Sequence, residues 1–309
     1  MRWWALVVMA GCVAEEVPEP HPVLEPPAEG EGFQVSMETV APALSEIWTC
    51  VVYPMPTSEL SQVNRVEYLQ NPGTHHMTLS TTLVPGILEP GTYDCDDLYL
   101  ELMNDQIMIF GAQGDASGVM QLPTGVAAAV PADILVMHEI HYVNPTQEDV
   151  DIYSYVNGYT IPDEEVVAGI WGGQVRDETL EIPPGGTHTE WTRCEMNEPV
   201  EVIFLASHMH GQGVEFTIAP FDGETVGEVF YRNDDWHNPK IVQYDPPLAL
   251  GVGEGFEYSC TWRNDTDETI RYGLTAEDEM CNLTLVHMPF SVTARCEVVA
   301  TSDGVLWSP

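Results

Sequence analysis

His208 and His210 are separated by one residue in the apolar stretch FLASHMHGQGVEF, and two histidines at this spacing could bind a metal ion. In a β-strand alternate side chains share a face, so His208 and His210 point the same way while Met209 points to the other face. Two neighbouring imidazoles can ligate one metal. They could equally form a surface pair near a turn, because Gly211 and Gly213 follow directly.

Three further clusters carry potential ligands. NPGTHHMTLS places His75 and His76 next to each other, on opposite faces of a strand unless a bulge or bend turns one of them. ILVMHEIHYVNP contains His138 and His141, which have opposite strand parity, and TAEDEMCNLTL contains Met280. Taken singly, a buried histidine is ordinarily hydrogen-bonded and a lone methionine is ordinarily core. Imidazoles alone do not separate copper from zinc, whereas a thioether ligand favours Cu(I).

In chain order, the motifs HHM, HY, HxH and EMCN resemble the copper type II, ascorbate-dependent monooxygenases, the family of peptidylglycine α-hydroxylating monooxygenase and dopamine β-monooxygenase. The resemblance spans residues 34–300 and includes IPPG before Cys194, GFEYSC at Cys260 and the closing Cys296. It implies a monooxygenase that uses two copper ions, O2 and ascorbate or another one-electron donor to hydroxylate a C–H bond of a small-molecule substrate.

The resemblance also implies which residues bind each copper. The implied ligands are His75, His76 and His141 for the electron-transfer copper, and His208, His210 and Met280, the catalytic set, for the oxygen-binding copper. Three imidazoles suit a copper that passes electrons, and two imidazoles with a soft thioether stabilise Cu(I). His138 matches no family ligand, so we expect it to be structural or to support a ligand from behind.

Departures from the family pattern concern the substrate. Peptide-amidating members carry an Arg two residues before HxH and a Tyr after EMCN, where this chain has Ala206 and Thr284; Asn282 is retained as an expected substrate contact. Without that Arg a substrate carboxylate loses a bidentate, charge-assisted partner. The pattern therefore argues against peptidylglycine hydroxylation, and the large negative charge of the chain mildly favours a cationic or neutral substrate such as an amine.

The cysteines indicate disulfides. Once Cys12 is set aside as a lipidation site, six of the seven cysteines remain, and an even number in an exported protein suggests three bridges of open connectivity. No CxxC motif occurs. The resemblance implies the pairs Cys50–Cys95, Cys194–Cys296 and Cys260–Cys281, the last of which would hold the loop that carries Met280.

The elements that must position these residues read as β-strands. Short alternating or apolar runs such as IWTCVVYPMP, EVIFLASHMH and GFEYSCTWRND lie between Gly, Pro and Asp clusters. We predict an all-β protein of two tandem jelly-roll-like antiparallel β-sandwich domains, 34–164 and 165–300, that meet near IPDEEVV.

Composition limits the partners. The chain has 309 residues, of which 49 are acidic and 9 basic, for a formal charge of −40. Nucleic acid and anionic membrane surfaces are therefore poor partners. Hydrophobic residues make up 44% of the chain, which is enough for two ordinary cores.

The N-terminal residues predict export. MRWWALVVMAGC has one Arg, a short apolar run and the lipobox-like Met9-Ala10-Gly11-Cys12, which predicts a lipoprotein signal over 1–12 with lipid on Cys12. A plain secretory signal is the alternative. Residues 13–33, rich in Pro and Glu, predict an extended tether. We thus expect a protein of the bacterial cell envelope that touches the membrane only through its lipid anchor.

Two other functions fit the same residues. The chain could be a copper-binding surface lipoprotein without catalysis, which ascorbate-dependent O2 consumption requiring an organic substrate would exclude. It could also be a carbohydrate- or protein-binding double sandwich whose histidines bind no redox metal, which the copper content would decide.

Overall fold

A computed structural model describes residues 21–82, 84–102, 106–273 and 277–304, and these residues are almost entirely β-structure, as the alternating runs predict. The strands of the first half are β1 (Gly32–Ala41), β2 (Ser45–Pro54), β3 (Ser61–Gln70), β4 (Thr74–Thr82), β5 (Gly91–Asp94), β6 (Gln106–Gln113), β7 (Ser117–Gln121), β8 (Val126–Val130), β9 (Leu135–Asn144) and β10 (Val150–Thr160). The strands of the second half are β11 (Ala168–Gly169), β12 (Trp171–Arg176), β13 (Glu181–Ile182), β14 (Gly186–Met196), β15 (Val200–His208), β16 (Gly213–Phe221), β17 (Tyr231–Asn233), β18 (Ile241–Leu250), β19 (Gly255–Asn264), β20 (Ile270–Arg271), β21 (Asn282–Met288) and β22 (Cys296–Thr301).

Helical structure in these residues consists of α1 (Cys95–Leu102) and a 3₁₀ turn, Asp163–Glu165. Neither is long and apolar enough to cross a membrane.

The first half is a sandwich of two sheets. Their strand orders are β5-β2-β9-β4-β6 and β1-β10-β3-β8-β11, with β7 paired to β3, and the pairing is antiparallel except between β8 and β11. Met77 and Ile140 from one sheet pack with Val35 and Val156 from the other. The strand alternation turns Glu139 and His141 to the outer face of their sheet, where α1 also packs.

The second half repeats this arrangement. A four-stranded sheet, β12-β21-β15-β18, faces a five-stranded sheet, β17-β16-β19-β14-β22, and a short pair, β13-β20, lies beside them. Leu205 and Leu283 of the smaller sheet pack with Phe256 and Trp262 of the larger one. Side chains at alternate positions of β15 and β21 therefore point away from this core, toward the first half.

The two halves contact each other through apolar side chains. Leu122 and Val126 of the first half form one buried cluster with Ile203 and Phe204 of the second. At the edge of this cluster Gln243 Nε2 donates a hydrogen bond to the Gln121 carbonyl at 2.9 Å. β11 lies past the predicted junction but pairs with β8, so the chain enters the second half along the first sheet.

The three disulfides form the pairs that the resemblance implies. Cys50–Cys95 joins β2 to the start of α1, Cys194–Cys296 joins β14 to β22, and Cys260–Cys281 joins β19 to the residue after Met280. Disulfides of this number indicate an extracellular or otherwise oxidising compartment.

The described part of the predicted tether lies against the first half. Asn157 Nδ2 donates to the Glu25 carbonyl at 2.8 Å, Gln34 Nε2 donates to the Leu24 carbonyl at 2.7 Å, and the His21 ring packs edge-on against Tyr153. Polar side chains of the sheet thus hold an extended segment that has little apolar surface of its own. The lipobox and Cys12 fall within 1–20, outside the described residues.

Candidate metal centres

His75, His76 and His141 come together at the start of β4, on the outer face of its sheet. The register between β4 and β9 shifts between Thr74 and His76, and this irregularity brings the two adjacent histidines to the same side. His75 Nδ1 lies 3.1 Å from His141 Nδ1 and 3.2 Å from His76 Nδ1. One ring nitrogen of each residue lies within 4.8 Å of the others.

Carboxylates behind two of these rings orient their Nδ1 lone pairs. His76 Nε2–H donates to Glu139 Oε1 at 2.7 Å, and His141 Nε2–H donates to Glu46 Oε1 at 2.6 Å. With the proton on Nε2, each Nδ1 keeps its lone pair, and both lone pairs meet at His75 Nδ1, which has at most one proton to give. Three converging imidazole nitrogens backed by carboxylates fit a metal ion.

Glu139 is a buried hydrogen-bond acceptor at the back of this cluster. Besides His76, its carboxylate accepts from Trp48 Nε1, Thr78 Oγ1 and Tyr99 OH. Burial by itself would raise its pKa, but the neighbouring His76 and the hydroxyl groups of Thr78 and Tyr99 lower the pKa to about 2. The side chain is therefore an ionised carboxylate.

His75 is neutral. Burial, and then the neighbouring His76 and His141, lower its pKa to about 3. The neutral imidazole is the form that a metal ligand needs. His138 faces the opposite way, into the core, where Tyr53 OH lies 2.8 Å from its Nδ1 and Ser154 Oγ lies 2.9 Å from its Nε2. Both of its nitrogens are occupied by these partners.

The second cluster lies at the end of β15. The rings of His208 and His210 stand perpendicular with centroids 5.3 Å apart. His210 Nδ1–H donates to the Asp278 carbonyl at 3.0 Å, so Nε2 is the nitrogen with the lone pair. Asn282 is paired with His208 across β15 and β21, and Met280 precedes it by two residues, which brings the thioether to the same end of the sheet.

Glu279 holds the two segments of this cluster together. Its carboxylate accepts the backbone N–H groups of His210 and Gln212 from one segment and of Met280 from the other, and also Trp262 Nε1–H. The Cys260–Cys281 disulfide fixes the same loop from the core side. Burial raises the pKa of Glu279 to about 6 despite the backbone donors.

Asn282, the expected substrate contact, is fully buried in the structure. Its Nδ2 donates to Met280 Sδ at 3.0 Å and to Gln174 Oε1 at 3.3 Å. The amide thus orients the methionine sulfur. Ala206 and Thr284 pair with each other on the neighbouring strands, so small side chains surround this end of the sheet.

A loop of the second half, residues 234–240, contacts both clusters, and no sequence pattern indicated this. Trp236 and His237 stack on each other and contact the His75 ring at centroid distances of 5.3 and 5.4 Å. Trp236 also packs over Gly211, directly after His210, with its Cζ2 atom 3.6 Å from where a Cβ of Gly211 would lie. Gln113 Nε2 donates to the Trp236 carbonyl at 2.8 Å. The indole ring therefore lies between the two histidine clusters.

Comparison with known proteins connects this geometry to a family. Residues 168–308 match the family model described as copper type II ascorbate-dependent monooxygenase, C-terminal domain. The chain is also 23% identical over 304 residues to peptidyl-glycine alpha-amidating monooxygenase B of Xenopus laevis. Residues 168–308 therefore belong to the copper type II, ascorbate-dependent monooxygenase family. The match makes copper the metal implied for this domain, and imidazole and thioether are ligands that copper accepts.

The match to the Xenopus protein covers 92% of this chain but 33% of that protein. The chain therefore spans about a third of the length of the Xenopus protein. The chain also shows a likeness to the crystal structure of the STIV MCP, at 8% identity and a TM-score of 0.36, over 84% of this chain and 96% of that one. A score this low carries no argument about fold or function.

Proposed function

We propose that this protein is a dicopper monooxygenase that hydroxylates a C–H bond of a small organic substrate with O2 and ascorbate or another one-electron donor. Convergence of the Nδ1 atoms of His75, His76 and His141 is the observation that carries the proposal, because at most one proton is available between three neutral imidazole nitrogens and a bound cation would satisfy all of them. The family match in the second half, where His208, His210 and Met280 lie at the same end of the smaller sheet, supports a second site.

Copper bound at the two sites would supply one-electron transfer and the activation of O2. The chain's own residues would hold and orient the copper ligands. Glu139 and Glu46 fix the tautomers of His76 and His141, Asp278 fixes that of His210, and Asn282 orients the Met280 sulfur. A weak thioether ligand needs such support, because its own affinity does not hold it in place.

The proposed division of labour follows from the donors. Three imidazoles, two of them backed by carboxylates, favour a copper that cycles between its oxidation states. The softer set with Met280 favours Cu(I), the state that reacts with O2. Trp236 lies between the two sets, so electrons that cross from one to the other would pass through or beside its ring.

Met280 and Met209 offer a matched pair of variants. Met209 is buried between His208 and His210 but points into the core, so Met209→Leu conserves volume and leaves the proposed ligands alone. Met280→Leu makes the same chemical change at the proposed ligand. X-ray absorption of the reduced, copper-loaded protein should show a sulfur neighbour in the wild type and Met209→Leu and none in Met280→Leu.

Hydroxylation driven by ascorbate should disappear in Met280→Leu alone. A sulfur neighbour that persists in Met280→Leu, or full activity in that variant, contradicts the assignment. Copper binding without substrate-dependent O2 consumption in the wild type would leave the non-catalytic copper-binding role.

We also propose that the protein is lipid-anchored at Cys12 in a bacterial envelope and that its domains divide near 164/165. The lipobox and the three disulfides support export. Intact mass of the membrane-extracted protein tests the anchor: the wild type should carry a diacylglyceryl addition that Cys12→Ser lacks.

A further inference from the structure

Arg176 is unlike the other arginines that the structure describes. Each of the others has a carboxylate oxygen within 4.0 Å; the pairs are Arg65–Glu67, Arg193–Glu257, Arg232–Glu215, Arg263–Asp265, Arg271–Glu181 and Arg295–Glu297. Among the described residues Arg176 has no such partner, in a chain with 49 acidic residues. Its polar neighbour is the phenol of Tyr272. A partly buried guanidinium without a carboxylate can accept an anion from outside the chain.

Arg176 lies in the same row of the sheet as the second histidine cluster. It pairs with Asn282 across β12 and β21, and Asn282 pairs with His208 across β21 and β15. Directly paired residues of antiparallel strands share a face, so the three side chains point to the same side. Val175, the residue before Arg176, is buried in the core, which puts Arg176 on the face turned away from the core.

Two strand spacings separate the backbones of Arg176 and His208, or about 10 Å. The next row along this face consists of Gln174, Thr284 and Ala206, and the edge strand contributes Gly172 and Gly173, which are exposed. Asn282, which lies directly between Arg176 and His208, is fully buried, so the accessible surface between the guanidinium and the histidines is this next row of small or uncharged side chains. A short organic molecule could lie along it, with one end at Arg176 and the other at His208.

We propose that Arg176 binds a carboxylate of the substrate and so determines which substrates the proposed monooxygenase accepts. This inference rests on the proposed function. It replaces the expectation of a cationic or neutral substrate, which followed from Ala206 and from the overall charge: the guanidinium that Ala206 lacks is supplied by a different strand. In a protein of charge −40 an anion needs such a local positive site to approach.

Calorimetric titration of the full chain with hexanoate, hexylamine and hexan-1-ol tests the proposal. Hexanoate should bind the wild type more tightly than the amine or the alcohol. Arg176→Gln should weaken hexanoate binding roughly 10- to 100-fold, the loss expected for a charge-assisted hydrogen-bond partner, and leave the alcohol unchanged. Arg176→Lys keeps the positive charge but loses the two-pronged guanidinium, so its hexanoate affinity should lie between those of the wild type and Arg176→Gln.

Arg263→Gln is the matched control, because it removes an exposed arginine that is paired with Asp265 and should leave hexanoate affinity unchanged. Thermal melts of each variant show that a loss of binding is not a loss of fold. Copper content measured on the same samples reports separately on the proposed function. The inference is overturned if the wild type does not bind hexanoate, if Arg176→Gln binds it equally well, or if hexylamine binds more tightly.

Discussion

Among single residues, the carboxylates behind the first cluster determine which ring nitrogen of each backed histidine faces the proposed metal. His75, His76 and His141 could be picked out from the sequence, whereas their partners Glu139 and Glu46 could not. Glu46 is 95 residues from His141, and acidic residues are so common in this chain that none stands out. The structure adds the tautomers of the rings and hence the nitrogen that each ring offers.

Glu139→Gln tests this arrangement. The four side chains around the carboxylate all donate, so a glutamine NH2 group would face donors and leave at least one of them without an acceptor. We expect the free energy of unfolding to fall by about 1–3 kcal/mol. Copper affinity at the first cluster should fall roughly 10- to 100-fold. Chemical denaturation and competition with a copper chelator measure the two effects.

Glu190→Gln is the control for that change. Glu190 is also buried and accepts from a histidine, His188 Nε2, at 2.8 Å, but this pair lies on β14, outside both clusters. Copper affinity should be unchanged in Glu190→Gln. Equal copper affinities in the two variants would mean that the carboxylate behind His76 does not tune the site.

At the scale of elements, alternation in the sequence predicted the strands, and the strands explain the parity of the histidines. His141 and Glu139 face outward on β9 while His138 faces the core. The need for a bulge at the adjacent pair His75 and His76 could be stated in advance, and the β4 register shifts at that place. The exact residue at which a register shifts depends on packing against neighbouring strands, which a local pattern does not contain.

The disulfides make a prediction at this scale. Replacing both cysteines of Cys260–Cys281, which are 21 residues apart, should cost about 3 kcal/mol, and replacing both of Cys194–Cys296, 102 residues apart, about 4.7 kcal/mol. Loss of Cys260–Cys281 should nevertheless weaken copper binding at the second cluster more than loss of Cys194–Cys296, because Cys281 is adjacent to Met280.

Copper titrations of the two double-alanine variants measure the effect on copper binding, and denaturation curves of the same variants measure the effect on stability. If the Cys194–Cys296 variant lost copper from the second cluster as readily as the Cys260–Cys281 variant, the disulfide next to Met280 would have no specific role in holding the ligand.

At the scale of the whole molecule, the sites depend on how the two halves meet. The loop 234–240 follows β17 of the second half and reaches the first cluster, where Trp236 and His237 contact His75. Sequence patterns indicate which side chains are buried within a sheet but not which loop of one half meets which edge of the other. For the same reason neither Trp236 nor Arg176 could be assigned a role from the sequence.

Gly114 of the first half packs closely against this loop, because a Cβ there would lie 3.1 Å from the His237 carbonyl oxygen. A Cβ there would lie 1.8 Å from Asn238 Oδ1, and the residue has a φ of +78°. Gly253 has nearly the same φ, +83°, with nothing within 4 Å of its Cβ position. Alanine at either position should cost a similar backbone strain of about 1 kcal/mol, but only Gly114→Ala should push the loop away.

Pulsed electron paramagnetic resonance between the two bound coppers can detect that displacement. The copper–copper distance distribution should broaden in Gly114→Ala and match the wild type in Gly253→Ala. Identical distributions in both variants would mean that the loop does not set the approach of the two clusters.

The copper content of the purified protein and of its His208→Ala variant tests the central claim most directly. We expect about two coppers per chain in the wild type and about one in His208→Ala, with the remaining ion held by His75, His76 and His141. No copper after reconstitution, or a single copper that His208→Ala leaves unchanged, would contradict the proposal of two copper sites.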